Sequence, residues 1–207
     1  MPENMPMRTI KVLDIGQKTI ITKRNMARII AAINMTIDGY CDHTAGIPDD
    51  EIHQYYADLL STAGAVLYGR VTYQLMEFWR DLAANPSGDK TMDDFAAVMD
   101  RTPKIVFSHT LENVDWKSAR LADGSLESVV LALKETPGKD IFIGSPSLIV
   151  ALTKLGLIDE YQLCVHPVIA GGGLPLFKNM TESLILQLTK TKSFKGGAVV
   201  LYYELQE

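Results

Sequence analysis

The sequence is poor in the features that announce a function. Its 207 residues hold two cysteines, Cys41 and Cys164, far apart and without metal-ligand spacing. That excludes a secreted disulfide framework and points to two reduced thiols in a cytoplasmic protein. No apolar run is long enough to cross a bilayer, and the N-terminus lacks the continuous apolar stretch of a signal peptide, so no membrane association is expected. Charge of one sign is also missing: 20 Lys and Arg against 25 Asp and Glu give a net charge of −5, with no basic cluster to suggest nucleic acid. No G-x-G-x-x-G, Walker A loop, serine-hydrolase elbow or H-E-x-x-H occurs. His53, His109 and His166 have no metal-type spacing to one another, and Asp42-His43 is a lone pair in a polar loop, so no metal is expected.

What remains is an ordinary globular composition, 47% hydrophobic and 22% charged. Residues 1–25 stand apart as an extension, with "TIKVL" and "KTIIT" around "DIGQ" predicting a small β-hairpin. A single domain is expected over residues 26–207. Within it strand and helix patterns alternate. "RIIAAI", "AVLYG", "KIVFS", "DIFIG" and "EYQLCVHPVI" read as buried strands. Helices are predicted from Pro48 to Gly64, from Arg70 onward, briefly around Met92–Met99, after Ser125, and from Ser145 to Gly156. In the last of these Ser145 is the expected N-cap, Pro146 the first helical residue, and Leu148, Leu152 and Leu155 one apolar face. The C-terminal "LILQLTKTKSFKGGAVVLYYEL" reads as an antiparallel hairpin turning at Lys195-Gly196-Gly197. The pattern predicts an α/β fold: a mainly parallel central sheet with an antiparallel C-terminal edge and helices on both faces.

Ligands of such sheets lie at the carboxyl ends of the strands. Gly69-Arg70-Val71-Thr72 places a glycine, a guanidinium and a hydroxyl at a helix N-terminus, a combination that suits phosphate and equally suits a solvated helix start. Ser108-His109-Thr110 ends a strand with polar groups fit for a phosphate or a solvated turn. Gly144-Ser145-Pro146-Ser147 repeats the strand-glycine-helix arrangement, as a pyrophosphate cradle or a simple cap. Asp38, in "NMTIDGYCD", is either an Asp-Gly turn or a carboxylate at the binding edge that orients substrate or relays a proton.

In order, these segments resemble the dihydrofolate-reductase-like superfamily. They are most similar to the reductase domain in the C-terminal half of bifunctional riboflavin-biosynthesis deaminase-reductases and to its stand-alone bacterial relatives. "INMTIDGY" resembles the family's Ser-Leu-Asp-Gly motif, "YGRVTYQLMEFW" its Gly-Arg-x-Thr-Tyr segment, and "IFIGSPSLIVALTKLGLIDEYQLCVHPVIAGGGLPLF" its most specific block. The resemblance spans about Ala27 to Tyr203. It implies the superfamily's three-layer fold, a bound NADPH and hydride transfer to a small carbonyl or imine substrate. The closest named activity is 5-amino-6-(5-phosphoribosylamino)uracil reductase; a dihydrofolate or pterin reductase is an alternative. By resemblance Gly69, Arg70 and Thr72 hold the cofactor phosphates, with Ser108 and His109 near the adenosine 2′-phosphate. Gly144, Ser145, Pro146, Ser147 and Leu148 wrap the pyrophosphate, and Ala32 lies near the nicotinamide. Asn34 and Asp38 face the substrate, with Asp38 the catalytic candidate, and a homodimer is implied, with apolar positions around Leu201 to Tyr203 available to it. The sequence departs where the riboflavin reductases carry a glutamate before the glycine pair; here that residue is Ile143. The departure leaves room for a non-catalytic nucleotide- or pterin-binding protein that kept the cradle.

Overall fold

Short strings of apolar residues free of charge fix the middle of the sheet, because only a strand covered on both faces hides every residue. The computed structural model describes residues 26–206, and the hairpin expected over residues 1–25 lies outside them. The element order is β1 (Ile29–Thr36), α1 (Asp50–Thr62), β2 (Ala65–Gly69), α2 (Arg70–Ala84), α3 (Lys90–Arg101), β3 (Lys104–Phe107), β4 (Ala119–Leu121), α4 (Leu126–Glu135), β5 (Ile141–Ile143), α5 (Pro146–Lys154), β6 (Glu160–His166), β7 (Leu186–Ser193) and β8 (Val199–Leu205). The strands form one sheet in the order β4-β3-β2-β5-β1-β6-β8-β7. Pairing from β4 through β6 is parallel, and β8 runs antiparallel to both β6 and β7. This is the mainly parallel α/β fold with a reversed C-terminal part that the alternating pattern predicts.

The two-residue period of the strands divides the core into two layers. Ile30, Ala32, Val66, Tyr68 and Phe142 pack against Ala57 and Leu60 of α1, Tyr73 of α2, and Phe95 and Met99 of α3. Ile29, Ala31, Leu67 and Ile143 face the other way, toward Val130 of α4 and Ile149 and Leu152 of α5. The sheet is thus the middle of three layers.

Asp49, Asp89 and Ser125 cap α1, α3 and α4 by accepting from Ile52, Met92 and Ser128 N–H. The helix placed around Met92–Met99 runs from Lys90 to Arg101, and β4, only three residues long at the sheet edge, gives too short a pattern to read. Two expectations need correction. Leu155 is 44% exposed, so the apolar face of α5 is Leu148, Ile149 and Leu152. Ser145 occupies the N-cap of α5, yet its side chain makes no capping bond there. It is used for something else.

Candidate functional site

Register creates a cleft. β5 ends at Ile143, opposite Ala31, while β1 continues beside β6 until Thr36 meets His166. The flank of β1 beyond Ala31 therefore has no β5 neighbour. Gly69 ends β2 opposite Phe107 of β3, so Ser108 follows directly alongside. The ends of β3, β2 and β5, with β1 running on beside them, form one ledge that carries Ser108, Gly69, Gly144 and Ala32 in that order.

Ser145 ties this ledge together. Its side chain is fully buried, and its Oγ accepts from the Gly69 N–H at 2.9 Å, joining the ends of β5 and β2. The N-termini of α2 and α5 are thereby held as neighbours, both with orphan N–H groups toward the same opening. The glycines there are not demanded by local packing. A methyl on Gly144 would meet Tyr68 Cε1 at 3.5 Å and the Ala32 carbonyl at 3.8 Å, and one on Gly69 would meet Ser147 Oγ at 3.5 Å, all ordinary contacts. Neither residue has a positive φ. Space for something to approach the backbone is the physical property that glycine adds at these two positions.

The side chains around the ledge are underused. Among the described residues the Arg70 guanidinium bonds only to Gln74 Oε1, at 3.1 Å, and has no carboxylate partner. The Thr72 and Ser147 hydroxyls make no bond to another described residue. His109 is exposed. Ser108 is committed locally, its Oγ accepting from the N–H groups of Thr110 at 3.1 Å and Leu111 at 2.9 Å. Leu148 points into the core and contributes packing. The set suits a polyanion: two helix N-termini, free hydroxyls and one free guanidinium.

The β1–β6 side of the cleft is built differently. Asp38 Oδ1 accepts from Thr36 Oγ1 at 2.6 Å and from Ala170 N–H at 3.1 Å, and its Oδ2 accepts from Gly171 N–H at 2.7 Å. The Thr36 hydroxyl first, then these amides, hold the carboxyl down to about 2. Asp38 is therefore an anion that clasps the loop after β6. Asp42 extends the clasp, its Oδ2 accepting from Leu174 N–H at 2.6 Å. Gly173, at φ +129, passes so close that a side chain would collide with that carboxylate.

Asn34 lies two residues past Ala32, on the same face of β1. Its Oδ1 is 3.1 Å from Tyr56 Oη and 3.0 Å from His166 Nε2. His166 is completely buried at the end of β6, and its Nδ1 accepts from Ile47 N–H at 3.1 Å. Burial lowers its pKa, so the ring is neutral. Tyr56, His166 and Asp42 are parts of the site that sequence reasoning does not assign. His166 invites only a search for metal partners, because its use depends on two loops meeting over it.

Ile143 is fully buried among Leu67, Ile149 and the rest of the α5-side core. It faces away from Asn34 and does not line the cleft. A depression of about 470 Å3 elsewhere on the molecule lies at the opposite, amino ends of β2, β3 and β5, beside Lys104, Lys117 and Lys139. The buried Lys104 amine is already engaged by the Met99 and Thr102 carbonyls and the Ser118 hydroxyl.

Comparison with known proteins agrees with this architecture. The uncharacterized protein YyaP of Bacillus subtilis is 32% identical over 182 residues, 85% of this chain and 94% of its own. Among solved structures, a diaminohydroxyphosphoribosylaminopyrimidine deaminase/5-amino-6-(5-phosphoribosylamino)uracil reductase from Thermotoga maritima superposes with a TM-score of 0.61 at 16% identity, over 89% of this chain and 58% of that one. Dihydrofolate reductase from Enterococcus faecalis, complexed with NADP(H), gives 0.57 at 12% identity, over 87% and 97%. These two likenesses establish the shared fold. Residues 27–202, from the strand that opens the sheet to the one that closes its core, match the model of the RibD C-terminal domain, and the chain belongs to that family.

Proposed function

We propose that this protein is an NADPH-dependent reductase that delivers hydride to a small carbonyl or imine substrate, with 5-amino-6-(5-phosphoribosylamino)uracil the first candidate. The observation that carries the reading is the ledge: two helix N-termini locked side by side by the Ser145–Gly69 bond, with backbone space at Gly69 and Gly144 and an unpaired Arg70. When bound, NADPH supplies the hydride; the protein supplies position and environment. Arg70, Thr72 and Ser147 bind phosphate oxygens, Gly144 admits the pyrophosphate to the backbone, and Ala32 leaves room beside β1 for the nicotinamide. Ser145 and Pro146 set the start of α5, and Ser108 shapes the turn that presents His109 to the adenosine end. Asn34 and the Asp38 clasp form the substrate side. With its carboxyl held down to about 2, Asp38 orients this edge as an acceptor and does not itself donate the proton.

Titration of NADPH followed by fluorescence or melting temperature tests the cofactor. Saturable binding that weakens in Arg70→Ala is expected; the absence of any response at millimolar NADPH sinks the reading. NADPH oxidation with the aminouracil, with dihydropterin and with simple carbonyl compounds then sorts the substrates. The non-catalytic alternative draws its support from Ile143, which stands in the core where the riboflavin reductases carry a glutamate, and NADPH binding without oxidation with any of these compounds is its signature.

The same reading includes a homodimer. Tyr202 is buried within the chain. The apolar surface left free lies one strand further out, at Ile185 and Leu188 and across to Leu205, along the exposed edge strand β7. An uncovered edge of eight residues is an invitation to pair. Sedimentation should give twice the chain mass, and Leu188→Lys should return it to one.

A further inference from the structure

Three hydrogen bonds beneath the end of β1 determine which way one amide points. The Ile47 backbone N–H can only donate, and its nitrogen lies 3.1 Å from His166 Nδ1. That nitrogen must be the bare one. The neutral ring then carries its hydrogen on Nε2, which faces Asn34 at 3.0 Å. An N–H at that place can donate only to the oxygen end of the amide. Tyr56 Oη, at 3.1 Å, donates to the same Oδ1. Turning the amide over would set its NH2 against the Nε2 hydrogen.

The ring cannot easily adjust. It has no exposed surface, and Gly46 lies flat on it: a Cβ there would come within 3.1 Å of Nε2 and 3.2 Å of Cδ2 and Cε1. Asn34 itself is exposed, and its Nδ2 has no partner among the described residues. Along the strand it lies about 7 Å beyond Ala32 on the same face.

We infer that Ile47, His166 and Tyr56 are a positioning relay that locks Asn34 as a double hydrogen-bond donor toward the cleft, so that this edge selects a substrate presenting oxygen acceptors, such as a ring carbonyl, over one presenting an amino group. The relay rests on the reading that substrate binds at this end of β1. His166 and Tyr56 act through Asn34 and do not touch the ligand. The amide donates hydrogen bonds without giving up a proton, so its contribution is to binding and orientation.

Two measurements test this separately. Nitrogen-15 correlation spectra of the imidazoles, with His166 assigned by its loss in His166→Gln, should show hydrogen on Nε2 and a bare Nδ1 in the wild-type protein at pH 7. Hydrogen on Nδ1, or an imidazolium, overturns the relay with or without a substrate in hand. Steady-state kinetics with NADPH and 5-amino-6-(5-phosphoribosylamino)uracil provide the second arm. Asn34→Asp keeps the inward oxygen and replaces the outward NH2 by an acceptor. KM for the aminouracil should rise about 10- to 100-fold with KM for NADPH unchanged. Tyr56→Phe should show a smaller rise in the same constant. An unchanged aminouracil KM in Asn34→Asp, or an equal change in both constants, overturns the donor role. If the wild-type protein does not oxidise NADPH with this compound, the proposed substrate fails, the donor role toward it fails with it, and the spectra alone decide the relay.

Discussion

The two halves of the cleft are made by opposite means. On the β2–β5 side, the polar groups belong mostly to backbone and the side chains are idle: Arg70 bonds only to Gln74, and Thr72 and Ser147 have no partner among the described residues. On the β1–β6 side nearly every polar side chain is already occupied by another part of the protein. Asp38 and Asp42 hold the loop after β6, and His166 and Tyr56 hold Asn34. A surface for a phosphate chain can be generic, because helix N-termini bind any such anion. A surface that distinguishes one small ring from another must fix its donors and acceptors in advance. The open half therefore suits a common cofactor and the closed half a particular substrate.

The comparison breaks most sharply if the closed half is opened. Gly173→Ala forces a side chain into a φ of +129 and against the Asp42 carboxylate. The strained backbone alone costs about 1–3 kcal/mol, and the collision adds to it. The melting temperature should fall by several degrees and the substrate KM should rise, with NADPH affinity largely retained. The reverse experiment is Arg70→Ala. Removing one charged contact to a phosphate corresponds to about 1.5–3 kcal/mol, or about 10- to 100-fold in the NADPH dissociation constant. Arg70 is exposed, so the melting temperature of the free protein should not change.

The same contrast explains what could be read in the sequence. Gly69, Arg70, Gly144 and Ser145 are legible as strand-end residues because each ends or follows a strand whose apolar pattern is unmistakable, and the parallel order brings those ends together; Ala32 lies within β1 and is singled out only by the family resemblance. The fold follows from the same strings; β4 is not legible because three residues, none of them buried, carry no period. The partners of Asn34 were not legible. Ile47 and His166 are separated by well over a hundred residues, and the backbone N–H that sets the tautomer has no sequence signature. Ser145 illustrates the limit in one residue: its place at the head of α5 follows from Ser-Pro, whereas the acceptance from Gly69 depends on how β2 and β5 pair. Ile143 shows the converse, since a family position that suggests the cleft is core in this chain.

Ser145→Ala sharpens the comparison from within the open half. It leaves the Gly69 N–H without its acceptor at a half-buried position, a cost of about 1 kcal/mol. Because the bond holds α2 and α5 as neighbours, NADPH affinity should weaken along with stability, unlike in Arg70→Ala. Chemical denaturation together with NADPH titration separates the two outcomes.

Acid probes the clasp. The Asp38 carboxyl titrates near 3.9 when unfolded and at about 2 when folded. A folded value below the unfolded one means that its contribution is complete above about pH 4 and is lost as pH falls toward 2. The protection of the Ala170 and Gly171 amides, exchange being taken relative to the intrinsic rate at each pH, should fall over that window in the wild-type protein. In Asp38→Asn protection should be low at every pH, and a wild-type protection unchanged between pH 5 and 2.5 would show that the clasp does not hold the loop.

The smallest effect belongs to the outer end of the open half. His109 is exposed and stands beyond Ser108, whose Oγ is taken by Thr110 and Leu111, so the imidazole is the free polar group of that turn. A solvated contact between an imidazole and a phosphate is worth about 0.5–1 kcal/mol, because water and salt screen it. His109→Ala should therefore lower the preference for NADPH over NADH by about 2- to 5-fold in kcat/KM and leave the NADH reaction as it was. The ratio is the informative quantity. A general loss with both cofactors would mean that the turn, rather than the imidazole, had been disturbed, and an unchanged ratio would move the 2′-phosphate away from β3 and toward the N-terminus of α2, where the Arg70 guanidinium has no carboxylate partner among the described residues.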